Sequence, residues 1–63
     1  MNVLLSRDDA CIAMAEGCRV THESFCDGDF LYMPMNYILN QDGVNFEKQF
    51  YAHDFLAYGW FVI

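Results

Sequence analysis

The first part of the chain carries apolar positions at a helical period. Residues 1–5 are a short apolar run that could form an edge strand or pack on a neighbouring subunit. Ser6 is a typical helix N-cap, and Asp9 follows three residues later, close to the capping-box pattern. The spacing predicts a helix over residues 7–16, ended at Gly17 by a left-handed residue. The residues expected on its apolar face are Ala10, Cys11, Ala13 and Met14.

After Gly17 the period changes from helix to strand. Residues 18–23 alternate, with the β-branched Val20 and Thr21 at their centre, which is typical of a strand. Turn residues follow at 27–29 and again at 40–43, where Asp-Gly is the strongest local hairpin signal in the chain. The pattern predicts three further strands, at residues 30–33, 37–40 and 44–50.

The last part of the chain predicts a short helical turn and a final strand. Asp54 is the expected N-cap of a turn that holds residues 55–57, and Gly59 ends it. Residues 60–63 are apolar at every position, which is typical of a strand covered on both faces. The second cover could be the N-terminal helix or another subunit. We therefore expect residues 1–63 to form one compact α+β domain. One N-terminal helix would pack on a small curved antiparallel sheet of about four to five strands.

The amino-acid composition also favours self-association. The chain has 63 residues, of which 56% are hydrophobic, 17% aromatic and only 19% charged. A domain this small buries only about 60% of the surface that its unfolded chain exposes, so apolar surface should remain uncovered. Such surface usually marks an interface, so we expect a homo-oligomer. The alternative is a monomer with several half-exposed aromatic side chains.

The charge balance limits the partners. Nine acids against Arg7, Arg19 and Lys48 give a net charge of −6. This disfavours general binding to a nucleic-acid backbone or to an anionic membrane. It permits binding to basic protein surfaces, imitation of nucleic acid, or a small anionic ligand held by local bases. There is no signal-peptide pattern and no apolar run near the ~20 residues of a membrane span, so we expect a cytoplasmic protein.

Catalytic and metal chemistry find little support. The three cysteines, Cys11, Cys18 and Cys26, include no closely spaced pair, so neither zinc nor a structural disulfide is indicated. Cys18 and His22 would lie about 13 Å apart along one strand, beyond hydrogen-bond reach for a Cys–His nucleophile. The paired acids are explained by helix capping and turns. We therefore expect a protein that is not an enzyme and has no catalytic residues, bound metal or cofactor.

Aromatic residues are the best candidates for binding. Most of them are expected to pack in a core or an interface, but tyrosines at a subunit seam could stack on a base and bond to a ribose or phosphate. Arg19 and His22 are among the few groups able to complete such a pocket, although a solvated surface position would explain them equally. The candidate ligand- or partner-binding residues are Arg19, His22, Phe25, Tyr32, Tyr37 and Tyr58.

Two stretches of the chain resemble a known family. Residues 9–20 read DACIAMAEGCRV, and residues 54–63 read DFLAYGWFVI. The first resembles the opening of phage anti-defence proteins of the second Thoeris anti-defence type. The second is similar to that family's closing Asp-x-Leu-Ala-x-Asp-Trp-x-Val-Val. Three positions depart from the pattern: His22 and Phe25 stand where the family usually has a basic residue and a Trp, and Gly59 stands in place of an Asp.

The resemblance implies a fold and a context. Members of the family fold as a helix on an antiparallel sheet and form symmetric oligomers. Some sequester cyclic-nucleotide immune signals at subunit seams, and related proteins inhibit a CRISPR nuclease. By resemblance, this chain is a phage or prophage anti-defence protein that either sequesters a small cyclic nucleotide or directly inhibits a host defence protein. The alternative is a small structural or assembly protein of a phage.

Overall fold

One main helix and five short strands make up the fold, seen in a computed structural model that describes residues 4–63. The strands form a single open antiparallel sheet in the order β1-β5-β2-β3-β4. The α+β prediction is confirmed. The elements in chain order are β1 (Leu5–Ser6), α1 (Arg7–Ala15), β2 (Val20–His22), β3 (Leu31–Tyr32), β4 (Leu39–Asn40), α2 (Glu47–Ala52), a 3₁₀ helix (Asp54–Leu56) and β5 (Tyr58–Val62).

Helix α1 begins and ends where the sequence predicts. Ser6 Oγ accepts a hydrogen bond from the Asp9 backbone N–H at 3.2 Å, which caps the first turn. Glu16 is the C-cap, and Gly17 follows with a φ of +96°, a conformation that favours glycine. Of the predicted apolar face, Ala10, Ala13 and Met14 are buried, and Cys11 is half-buried.

Strand β5 lies between β1 and β2 in the sheet. On one side it pairs with β2, where Val20 lies opposite Val62 and His22 lies opposite Trp60. On the other side it pairs with β1, where Leu5 lies opposite Trp60. Leu5 thus belongs to an edge strand, one of the two roles expected for the apolar lead-in; residues 1–3 of that lead-in lie outside the described residues. β5 starts at Tyr58 and ends at Val62, whereas the sequence predicted 60–63.

The predicted fourth strand at residues 44–50 is wrong. Only Asn45 bridges to Leu39, and helix α2 follows from Glu47 to Ala52. The Asn45 side chain accepts from the Glu47 backbone N–H at 2.9 Å, which opens the helix. Phe50 N–H bonds to the Phe46 carbonyl at 2.9 Å, and these two residues are one helical turn apart. Phe50 is fully buried on the helix, while Val44, before the helix, is exposed.

The segment between α2 and β5 holds the short helical turn that the sequence predicts. It is a 3₁₀ helix over Asp54–Leu56. The expected cap is wrong, because His53 is the N-cap and no side chain caps the turn. Backbone bonds close the turn instead, with Leu56 N–H bonding to the His53 carbonyl and Ala57 N–H bonding to the Asp54 carbonyl.

The helices of the described chain are short. Helix α1 has nine residues and α2 has six. A helix needs about 20 mostly apolar residues to cross a bilayer. Across residues 4–63, no helix reaches the length and hydrophobicity that a crossing would require.

The hydrophobic core lies between α1, α2 and one face of the sheet, called here the inner face. Trp60 is at its centre and is fully buried, with Val20 and Leu31 beside it on neighbouring strands. Because side chains alternate along a strand, Thr21, Tyr32 and Phe61 belong to the opposite, outer face. Within one chain α1 covers only the inner face, so the second cover expected for β5 stays a prediction. The other core residues are Ala10, Ala13, Met14, Ile38, Phe50 and Leu56.

Candidate functional site

His22 is the buried polar group next to the candidate site. It ends β2 and is 4% exposed. Its Nε2 lies 2.7 Å from the Tyr58 carbonyl, which can only accept, so Nε2 carries a proton and donates it. Its Nδ1 accepts from the Ser24 backbone N–H at 3.0 Å and lies 2.7 Å from Ser24 Oγ. Both ring nitrogens are therefore engaged within the chain, and the imidazole ties β2 to β5.

Aromatic rings surround His22. The Trp60 ring meets it edge-on, with centroids 4.9 Å apart, and the Phe25 and Phe55 rings lie 5.8 Å and 6.1 Å away. Trp60 donates its indole N–H to the Leu56 carbonyl at 2.7 Å, so its polar atom is also satisfied. Phe25 packs edge-on against Trp60 at 5.5 Å but is itself only half-buried. Phe25 therefore extends the core to the surface.

Gly59 allows this arrangement through its missing side chain. Its φ is +104°, and a Cβ there would lie 2.9 Å from His22 Nε2 and 2.5 Å from a Glu23 carboxylate oxygen. Such contacts are far closer than carbon atoms tolerate, so His22 and Glu23 occupy the space that a side chain would need. The Glu23 backbone N–H also bonds to the Gly59 carbonyl at 3.0 Å. Residues 22, 23 and 59 thus form one packed unit.

The larger surface pocket, of about 350 Å³, lies between the β2–β3 loop and the ends of β2 and β5. Thr21 and Phe61, which lie opposite each other on the outer face, line it, and the Thr21 hydroxyl donates to the Asp29 carbonyl at 2.7 Å. Three acidic residues line this pocket, and no Lys or Arg does. We call it the loop pocket; its lining residues are Thr21, His22, Glu23, Phe25, Cys26, Asp27, Gly28, Asp29, Phe61 and Ile63.

A smaller pocket of about 160 Å³ adjoins the loop pocket. The two share Phe25 and Asp29 as lining residues. The side chain of Gln41 holds together the boundary between the two pockets. It donates a hydrogen bond to Asp29 Oδ1 at 2.9 Å and accepts one from the Phe30 backbone N–H at 3.3 Å. The residues that complete the smaller pocket are Leu31, Asn40, Gln41 and Phe46.

Arg19 and Tyr32 form a second group through Phe30. The Arg19 guanidinium lies over the Phe30 ring, 5.2 Å from its centroid, and the Phe30 and Tyr32 rings are 5.8 Å apart. A cation over an aromatic face is held by the ring's quadrupole. The Arg19 carbonyl accepts from the Ile63 N–H at 3.0 Å, so this group adjoins the loop pocket without lining it.

The six predicted binding residues thus fall into separate places. His22 and Phe25 share the loop pocket, and Arg19 and Tyr32 share the Phe30 group. Tyr37 and Tyr58 are 58% and 57% exposed and line neither pocket, although the Tyr58 backbone holds His22. Their binding roles stay predictions.

Several residues of the loop pocket had no place among the predicted site residues. Asp27 and Asp29 were explained as turn formers, and Phe61 as part of a buried strand. The period-2 alternation of β2 and β5 was the available signal, because Thr21 and Phe61 are paired outward-facing positions. The turn glycine Gly28, with a φ of +88°, brings the two aspartates into the same pocket lining.

Tyr51 makes a further polar contact, with Cys11, that the sequence did not indicate. Its hydroxyl lies 3.2 Å from Cys11 Sγ, which links α2 to α1. The hydrogen bond to Cys11 raises the pKa of Tyr51 from 10.0 to about 12, with smaller contributions from burial and from the charges of Cys11, Glu47 and Asp8. The phenol therefore stays protonated well above neutral pH.

The remaining cysteine chemistry is limited. All three cysteines are free thiols, with Cys26 exposed and the other two half-buried. Among residues 4–63, no three His, Cys, Asp or Glu side chains are grouped as metal ligands. The chemistry that the candidate site offers is that of the loop pocket, whose acidic and aromatic lining can bind another molecule.

Comparisons of this chain with protein families, curated proteins and solved structures found no match.

Proposed function

We propose that this chain is a phage or prophage anti-defence protein that acts by binding, and that it inhibits a host defence protein directly in the host cytoplasm. Its working unit would be a homo-oligomer, because large apolar side chains remain exposed in the single chain. The exposed set includes Ile12, Met35, Tyr37, Val44, Tyr51, Phe55, Tyr58, Val62 and Ile63.

The anti-defence context is supported by the place of the two family-like stretches. Residues 9–20 supply most of α1 and the start of β2, and residues 54–63 supply β5. In the fold α1 packs on β5, and Val20 of β2 pairs with Val62. The stretches that carry the resemblance are far apart in the chain but form one continuous unit.

Two of the departures from the family pattern also meet in space. His22 stands at the position of a basic residue and Gly59 at the position of an acid. A Cβ on Gly59 would lie 2.9 Å from His22 Nε2, so these positions are direct neighbours. A pair of opposite charges would thus be replaced here by an imidazole and a glycine, whose missing side chain leaves room for His22 and Glu23. No Lys or Arg lines the loop pocket, and the guanidinium of the nearby Arg19 lies over Phe30.

The observation that carries direct inhibition is the charge of the loop pocket. Glu23, Asp27 and Asp29 line it without any Lys or Arg. Like charges repel, so a pocket of this kind disfavours the phosphates of a cyclic nucleotide. It favours a positively charged protein surface, and the net charge of −6 would speed the encounter with one. Many defence proteins that handle nucleic acid must present such basic surfaces.

Sequestration of a cyclic nucleotide is the second candidate, and the Phe30 group is the observation that favours it. Arg19 and two aromatic rings lie together on the outer face, where a base could stack and a phosphate could meet the guanidinium. Arg19→Ala would abolish nucleotide capture if this candidate holds. The same change would leave direct inhibition through the loop pocket largely intact.

The test is phage plating on host strains that each carry one defence system. We expect the protein to restore plating on at least one strain, and Glu23→Gln with Asp27→Asn to reduce that effect strongly because both changes remove charge at the loop pocket. The matched control is Glu16→Gln with Asp42→Asn, which removes two charges from exposed positions outside both pockets.

The second half of the test uses purified components. The protein should form a complex with the purified effector of the relieved system, and the complex should weaken with salt because opposite charges hold it. Recovery of a nucleotide from the protein after exposure to infected-cell extract, with no complex formed, would favour sequestration instead. Failure to restore plating on any strain would contradict the anti-defence proposal.

A further inference from the structure

We infer that the loop pocket binds a guanidinium group, as presented by an arginine side chain of a partner protein. The inference extends the direct inhibition proposed above by naming the group that the partner supplies. It rests on the cavity itself: about 350 Å³ of space, at the lower end of the range for small-ligand sites, with aromatic residues and carboxyl groups in one lining.

The aromatic part of the lining suits a flat cation. Phe25 and Phe61 both line the pocket, and each is half-buried. Phe25 is fixed by its edge-on contacts with Trp60 and Phe46, at 5.5 Å and 6.1 Å. A guanidinium stacks on such ring faces and loses less hydration than an ammonium does.

The carboxylates suit the same group and are partly fixed in place. Asp29 is half-buried, and Gln41 holds its Oδ1 at 2.9 Å. Thr21 anchors the Asp29 backbone carbonyl at 2.7 Å, so the loop carrying this acid is tied to β2. The backbone of Glu23 bonds to the Gly59 carbonyl, which fixes the chain at this acid, while its side chain is exposed. Carboxylates positioned before binding lower the entropy cost of forming charge-assisted hydrogen bonds.

Other cations fit this lining less well. Among the described residues no three acidic, His or Cys side chains are grouped for a metal ion. A lysine ammonium is a compact, strongly hydrated charge that gains little from the ring faces. Arg19, whose carbonyl bonds to the Ile63 backbone at one end of the pocket, directs its guanidinium onto Phe30 and so leaves the pocket lining acidic. Two aromatic residues, the Asp29 carboxylate held by Gln41 and two further acids in one lining therefore favour a guanidinium.

The test uses three small probes and isotope-labelled protein followed by NMR. The probes are the N-acetyl methylamides of arginine, lysine and citrulline; citrulline keeps the shape of arginine without its charge. We expect the arginine probe to bind saturably about tenfold more tightly than the citrulline probe, which corresponds to about 1.4 kcal/mol. The lysine probe should bind several-fold more weakly than arginine. The shifts should centre on residues 21–29, Phe61 and Ile63.

Two variants locate the site. Asp29→Asn removes the charge but keeps an oxygen that can accept from Gln41, and it should weaken the arginine probe about tenfold. Asp42→Asn, in the exposed β4–α2 turn, is the matched control and should leave binding unchanged. Phe61→Leu keeps an apolar side chain but removes the ring, and it should weaken the arginine probe a few-fold more than the lysine probe.

Equal binding of the arginine and citrulline probes would overturn the inference. NMR chemical-shift changes spread over acids outside the pocket, such as Asp8 and Asp42, would also overturn the inference, because such changes indicate general charge attraction. If the arginine probe does not bind but the protein still restores phage plating, the guanidinium site is lost while the proposed function stands. If the arginine probe binds at the pocket but the protein restores phage plating on no strain, the guanidinium site stands and the proposed function is lost.

Discussion

The inner and outer faces of the sheet are made by alternate residues of the same strands, yet they differ in kind. On the inner face His22 and Trp60 are nearly or fully buried, and every polar atom of their rings has a partner. On the outer face Phe61, directly between Trp60 and Val62 in the chain, is half-buried and lines a pocket. One residue along β5 separates the centre of the core from the candidate site.

The difference shows how a very small domain can hold both a core and a pocket-bearing surface. The inner face gathers helix, strand and loop residues around one tryptophan, so it supplies stability. The loop pocket on the outer-face side is bordered by the β2–β3 loop and carries the charges and rings that the proposed partner would meet. Changes on the inner face should therefore act on folding, and changes on the outer face should act on binding.

The largest expected effect is that of Trp60→Ala. It would leave a cavity at the centre of the core and remove the hydrogen bond to Leu56, at a cost of about 3–5 kcal/mol in the free energy of unfolding. A domain of this size has little stability to lose, so we expect the variant to be largely unfolded. Circular dichroism during urea denaturation would measure this.

Phe61→Ala is the matched control on the outer face. Because Phe61 is only half-buried, its loss should cost about 1 kcal/mol and leave the fold intact. An equal loss in the free energy of unfolding for Trp60→Ala and Phe61→Ala would contradict the assignment of stability to the inner face and binding to the outer face.

A smaller loss of stability is expected for Gly59→Ala. The change forces a positive φ on alanine and places its Cβ 2.5 Å from a Glu23 oxygen and 2.9 Å from His22 Nε2. Together these effects should cost about 2–4 kcal/mol. Gly28→Ala has a similar φ of +88° and nothing within 4 Å of the new Cβ, so only the backbone cost of about 1–2 kcal/mol applies.

The difference between the two glycine variants measures the packing of His22 and Glu23 against β5. Thermal unfolding of both proteins gives the comparison. Combining Gly59→Ala with Glu23→Ala should recover part of the loss, since His22 remains in place. If Gly28→Ala destabilises as much as Gly59→Ala, the close packing of residues 22, 23 and 59 is not what Gly59 provides.

The smallest effect concerns a surface contact that belongs to neither face. Tyr51, with a pKa raised to about 12 mainly by its hydrogen bond to Cys11, should ionise late in an alkaline titration. A raised pKa means that the folded state holds this proton more tightly. Its contribution to stability is therefore complete below pH 10 and is lost as pH rises towards 12.

Cys11→Ala tests the cause of that shift. Removing the thiol should bring the Tyr51 titration back towards its ordinary range, as followed by the ultraviolet absorbance of tyrosinate. Tyr51→Phe identifies which part of the absorbance change belongs to this residue. An unchanged midpoint in Cys11→Ala would show that burial or neighbouring acids, not the thiol, hold the proton.

The parts of the fold that the sequence predicts are those with local causes. Ser6 and Gly17 bound α1 because a side-chain cap and a left-handed residue act within one turn of the helix. The strand at residues 44–50 was wrong because Phe46 and Phe50 fit either a strand face or one helical turn. Asn45 and the helix formers Glu47, Lys48 and Gln49 were the available signals for the helix.

The candidate site was less accessible to prediction. Of the predicted binding residues, His22 and Phe25 line the loop pocket, and their binding role stays a prediction. The acids of the loop pocket were assigned to turns, which is correct for their backbone but incomplete for their side chains. Their convergence with Phe61 depends on the pairing of β2 with β5, a contact between distant parts of the chain that no local pattern encodes.

The place of β5 in the sheet has a consequence for synthesis on the ribosome. Among the described elements β5 is synthesised last. It nevertheless lies between β1 and β2, and it completes the part of the sheet on which α1 packs. Until residues 58–62 emerge, the earlier strands lack the neighbour that joins them, and loop closure must span most of the chain. Folding of a nascent chain should therefore come late and all at once, and the loop pocket should be absent from every shorter intermediate.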